Sequence, residues 1–221
     1  MCWSCRLRDI PRCGSASPAD TEDMTRSRPR DRGSARRIAF INAYEFPGSV
    51  RQRFAYRHSG LTGDDVLIVE AATRQWFRLI AGYARARLSI PSVVADDLWQ
   101  QMLLDTRRYA AFCESALGRF VPHVPESTTN PATVGHDAGL LTTFHVAQRD
   151  EGCDRTQLPL LFRVDRDLAV TGGRHYLADC GGRGECFQMR GTLCLQHLRG
   201  VGRPVRGDFS LARWPMIRER P

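Results

Sequence analysis

The sequence contains no lysine. All 32 of its basic Lys+Arg positions are arginine, in a chain of 221 residues. That absence excludes a Walker-type lysine behind a glycine-rich loop, a kinase-type lysine, and a Schiff-base lysine for pyridoxal phosphate or carbonyl substrates. No uninterrupted apolar run reaches about 18 residues, so no segment reads as a membrane span. There is no G-x-S-x-G elbow, no dinucleotide fingerprint after a strand, and no H-x-E paired with P-C-x-x-C. No catalytic residue is therefore assigned from motifs.

What is present is ordinary for a folded domain. Hydrophobic residues make up 42% and charged residues 25%, enough to build a core. The length suits one domain plus tails. The net charge of +8 is uneven: residues 1–37 hold nine arginines against five acids and 183–221 eight against three, while 38–182 hold fifteen against sixteen. Basic tails can track phosphates, which makes nucleic-acid binding one alternative. No basic stripe interleaved with aromatics accompanies the charge, so a compositional origin is the simpler account.

Residues 1–37 lack apolar periodicity and are rich in Arg, Ser, Asp and Pro, so they read as a disordered basic tail. Cys2 and Cys5 form a C-x-x-C without the strand and helix N-terminus that would activate a thiol. Met24 offers an alternative start. Arg36-Arg37 precedes Glu45 and Pro47 too closely for a secretory apolar region, so a cytoplasmic protein is expected. Eight cysteines are then thiols or metal ligands and not a disulfide framework.

Residues 38–170 read as an all-α small bundle. A short amphipathic helix follows Pro47, with Val50, Phe54 and Tyr56 turned inward. Thr62 and Asp65 have capping-box spacing and open a helix over about 64–85. Val66, Val69, Thr73, Trp76, Phe77, Ile80 and Tyr83 mark its inner face, with Glu70 and Arg74 paired on the other side. Ser92 caps a further helix that runs to about 117, where Gly118 stops it. Asp96 and Asp97 lie near its start and favour the positive helix end. Adjacent helical residues diverge by about 100°, so these two cannot flank one substrate atom. Residues 121–137 form a loop, a helix follows over about 137–149, and the apolar QLPLLFRVDRDLAV reads as an extended segment lying across the helices.

The stretch PSVVADDLWQQMLLDTRRYAAFCESALGRFVPHVPE resembles the motif region of the glycine-rich domain-containing protein-like family, whose bacterial members have no assigned function. Pro91, Ser92, Asp96, Trp99, Thr106, Tyr109, Phe112, Cys113, Gly118, Phe120, His123 and Pro125 match in register. VEAATRQWFRL and LPLLFRVD also resemble bacterial members, so the likeness spans about 45–200. Gln100 stands where the pattern has histidine. If the family's two histidines meet, this chain keeps only His123, and a hydrogen bond between Gln100 and His123 replaces a shared metal. Cys113 follows Phe112 on a core-facing helix and reads as a buried, inert thiol.

The region 171–221 reads as an irregular Cys/Gly/Arg-rich extension. Cys180, Cys186, Cys194 and His197 are spaced Cys-x5-Cys-x7-Cys-x2-His, and the Cys194–His197 end has zinc-knuckle spacing. Glycines around 181–184 would let the chain wrap a tetrahedral ion. A flexible tail with free thiols is the competing account. Catalytic zinc is disfavoured because no H-E-x-x-H spacing occurs. The sequence thus points to a non-enzymatic interaction or accessory domain with a protein partner and a structural zinc in its extension. The alternatives are a metal- or thiol-dependent enzyme and a nucleic-acid binder.

Overall fold

A computed structural model describes residues 32–123, 134–182 and 185–198. The C-x-x-C, Pro125 and the arginines beyond 198 lie outside the described residues. Seven α-helices and a two-stranded parallel sheet make up the described chain. The all-α expectation holds, with this small sheet as an addition.

Helix α3 (Gly63–Gly82) is the centre. Thr62 starts it with a capping box: its hydroxyl accepts from the Asp65 N–H, and the Asp65 carboxylate accepts from the Thr62 N–H at 2.8 Å. Around it pack α1 (Arg32–Ala43), α4 (Val93–Leu103), α5 (Thr106–Leu117), α6 (Val134–Glu151) and α7 (Leu160–Asp167). Neighbours on several sides explain why α3 buries Glu70 and Gln75 as well as Val69, Trp76 and Phe77. Glu70 is therefore not on an outer face: its carboxylate is fully buried and accepts from both Arg51 and Arg74. Arg74 also donates to the Tyr44 carbonyl. A buried charge persists only when it is paired in this way.

Several boundaries differ from the sequence reading. α1 begins at Arg32, so it crosses the edge drawn at residue 37, and it buries Ile41. In α2 (Gly48–Arg57), Val50 and Phe54 are buried, but Tyr56 is 89% exposed. The expected helix to 117 is two helices. The Asp105 carboxylate accepts from the Arg108 N–H and caps α5, which interrupts the run at Leu104–Asp105. Gly118, with φ +68, ends α5 in the left-handed conformation that glycine tolerates.

The segment read as extended is α7. Leu161, Val164, Asp165 and Leu168 follow helical spacing, and Pro159 sets the entry. Two polar side chains satisfy its first amides: Glu151 accepts from Leu160 N–H and the buried Gln75 accepts from Leu161 N–H. The other end of α7 carries Asp165, 1% exposed. Its carboxylate accepts from the Ser92 hydroxyl, the Val93 and Val94 amides at the start of α4, and the Arg174 amide. One carboxylate therefore joins α7, α4 and the chain leading into the sheet.

Candidate metal centre

The sheet places the cysteine cluster. β1 (His175–Leu177) and β2 (Thr192–Cys194) run parallel with Leu177 opposite Cys194. Cys180 lies three residues past β1 and His197 three past β2, so both fall at the same end of the ladder. Cys186 comes from the short 3-10 turn Glu185–Gln188 in the crossover. Parallel crossovers usually carry a helix against the sheet, and a two-stranded sheet is marginal alone. Here three-residue strands and an irregular crossover need another anchor.

Part of that anchor is apolar. Tyr176 is buried, stacks edge-on against Phe162 with centroids 5.2 Å apart, and donates its hydroxyl hydrogen to the Pro91 carbonyl. Leu195 enters the main core. The extension therefore docks on the helices. Cys180, Cys186 and Cys194 form a separate buried cluster beside Leu177.

Within it, one donor atom from each of Cys180, Cys186, Cys194 and His197 lies within 4.8 Å of the others. Cys186 Sγ is 3.2 Å from His197 Nδ1, and Cys180 Sγ is 3.8 Å from His197 Nε2. This group can hold a metal ion. Its Cys3His donor set is that of closed, four-coordinate zinc sites. Burial, reinforced by the neighbouring Cys180 and Cys194 thiols, pushes the Cys186 thiol up to about 11. Without a cation the thiolate of Cys186 is disfavoured, so that sulfur makes a poor nucleophile. Cys113, elsewhere in the main core, is a free, buried thiol.

The residues singled out by the motif around 91–125 form a second constellation. Gln100 and His123 do meet, but through Asp96: His123 Nε2 lies 2.7 Å from Asp96 Oδ1, and Gln100 Nε2 donates to Oδ2 at 2.8 Å. Asp96 thus serves two neighbours besides lying in the first turn of α4. Asp97 points elsewhere and pairs with His58 at 2.9 Å. Trp99 packs edge-on against His123 and donates its indole N–H to the Tyr109 hydroxyl, which donates in turn to the Val121 carbonyl at 2.6 Å. Burial raises the Tyr109 phenol far above its usual range, with a contribution from Cys113. Together these contacts fasten the segment 120–123 onto α4 and α5. Thr106 is exposed at the start of α5 and takes no part in them.

Sequence reasoning missed Asp165. Its place four residues after Leu161 on one helical face was the only signal that its carboxylate turns inward. Its partners at the start of α4 lie about seventy positions away.

No helix among the described residues is long and apolar enough to cross a membrane. No curated protein and no solved structure matches the chain. A model of an uncharacterised protein family, UCP032817-like, matches residues 36–198. That span takes in the helical bundle, the motif around Asp96 and His123, and the whole Cys3His group, and the chain belongs to the UCP032817-like family.

Proposed function

We propose that this protein is a non-enzymatic interaction or accessory domain, stapled at its C-terminal end by one structural zinc ion. Cys180, Cys186, Cys194 and His197 are its ligands. The observation that carries this reading is the convergence of four donor atoms within 4.8 Å from both strand ends and their crossover. Four protein ligands complete a tetrahedral shell and leave no open position for substrate, which favours a structural role over a catalytic one. The raised Cys186 thiol argues against thiol catalysis at that sulfur. The register of residues 91–125 supports kinship with the glycine-rich domain-containing protein-like family.

Metal analysis of the purified full chain tests the zinc. The expected result is about one zinc per chain, lost in Cys194→Ser. Metal-free wild-type protein, with all three thiols reacting freely and no change in local order, would remove the proposal.

A further inference from the structure

The three cysteines of the Cys3His group differ in how firmly the chain holds them. Cys194 ends β2 opposite Leu177 in the ladder, and the next residue, Leu195, is 1% exposed in the main core. Its backbone is therefore held on two sides. Cys180 and Cys186 lie outside the strands. Cys180 leads into Gly181 and Gly182, with φ +61 and +71, and Cys186 sits on the short 3-10 turn of the crossover. Glycine is the residue with least steric restriction on such rotations, so these two sulfurs can approach one another with least disturbance. They already flank one imidazole: His197 Nδ1 is 3.2 Å from Cys186 Sγ, and Nε2 is 3.8 Å from Cys180 Sγ.

The cluster also lies close to solvent. It is separate from the main core, and Gly181, Gly182, Gln188, Met189 and His197 around it are exposed. A small oxidant such as hydrogen peroxide has only this thin cover to pass. Zinc coordination turns a thiol into a thiolate, and the thiolate is the form that peroxide oxidises. Resting on the zinc reading above, we propose that the site is a redox-sensitive staple: peroxide joins Cys180 to Cys186 in a disulfide, expels the zinc and unties the crossover from β2.

The Cys186 thiolate attacks one peroxide oxygen, the O–O bond breaks, and the departing hydroxide takes a proton to become water. The Cys180 thiolate then attacks the sulfenic sulfur, the S–S bond forms, and the S–O bond breaks to give a second water with a second proton. Two sulfurs lose two electrons in all, and one peroxide gains them. Cys194 and His197 remain as donors, too few for a closed four-coordinate site. The disulfide ties the crossover to the β1 end alone.

The test uses the full chain loaded with zinc, its metal content measured first, then treated with hydrogen peroxide while a metallochromic dye follows released zinc. Trypsin maps the thiols, because cleavage after Arg183 and Arg190 puts Cys180, Cys186 and Cys194 on three separate peptides. The expected result is about one zinc released per disulfide formed, with the Cys180 and Cys186 peptides cross-linked and Cys194 alkylated as a free thiol. Dithiothreitol with added zinc should restore the original content. Cys180→His keeps four donors and removes one partner thiol, so it should retain zinc at doses that empty the parent. Should that variant not load, the peptide map decides alone. Zinc retained by the parent at doses that fully oxidise glutathione, zinc lost with sulfinic acids and no disulfide, or a disulfide that includes Cys194 would each overturn the proposal. Those failures occur in zinc-loaded protein and leave the zinc reading standing. A chain that neither carries nor takes up zinc overturns that reading, and the switch with it.

Discussion

The Tyr109 hydroxyl serves two buried groups at once. It accepts from the Trp99 indole and donates to the Val121 carbonyl. Tyr109→Phe preserves the ring packing on Phe112 and strands both partners. An unsatisfied buried polar group costs about 1–3 kcal/mol, so the variant should lose about 2–4 kcal/mol in urea unfolding. A loss under about 0.5 kcal/mol would mean that water reaches these groups and that the segment 120–123 is not held by this link. At this scale the sequence was partly legible. The aromatic identities of Trp99 and Tyr109 and their helical spacing placed them in the core, where both are found. Their polar ends were not legible, because a hydrogen bond between residues on separate helices leaves no periodic trace. Asp96 shows the same limit. Its place near a helix start accounted for it sufficiently, and the histidine it holds comes from 27 residues further on.

At the level of elements, Asp165 does what a local N-cap residue normally does, but from another helix. It shares the start of α4 with Ser92, whose hydroxyl accepts from the Ala95 amide while donating to the carboxylate. Asp165→Ala would leave the Val93 and Arg174 amides without their acceptor and remove charge from the positive end of α4. With charged hydrogen bonds worth about 1.5–3 kcal/mol each, we expect a loss of about 3 kcal/mol in denaturant unfolding. Gly173→Ala should act in the same direction. A Cβ there would come within 2.9 Å of both the Asp165 Cβ and the Val170 carbonyl, forcing α7 and the following turn apart. If both variants melt like the parent, the α4–α7 junction is not a stability hinge. The extended reading of QLPLLFRVDRDLAV failed for a related reason. Its apolar run is short enough to suit either state. What settles the helix is tertiary: Gln75 and Glu151 cap its first turn.

For the whole molecule, the question is how a domain with one main core also holds an irregular C-terminal stretch. The cysteine spacing singled out the four residues that converge before any fold was known. The parallel pairing that gathers them was not, since two three-residue strands carry no usable alternation. Two kinds of anchor act on that stretch. Tyr176 and Leu195 tie it to the apolar core, and on the zinc proposal the Cys3His group ties the crossover to both strand ends. Under that proposal these anchors should separate under chelation, because removing an ion takes away the coordination bonds and leaves apolar burial untouched. Hydrogen exchange of the zinc-loaded chain, before and after a strong chelator, should therefore show protection lost over 178–197. Protection should persist in α3, α4, α5 and α7, and at Tyr176, which Phe162 and Pro91 hold from the helical side. Unchanged protection over 178–197 would show that the ion holds nothing there. Loss throughout α3 and α4 would show that the metal site belongs to the global folding unit, and that the extension is not a locally stapled element at all.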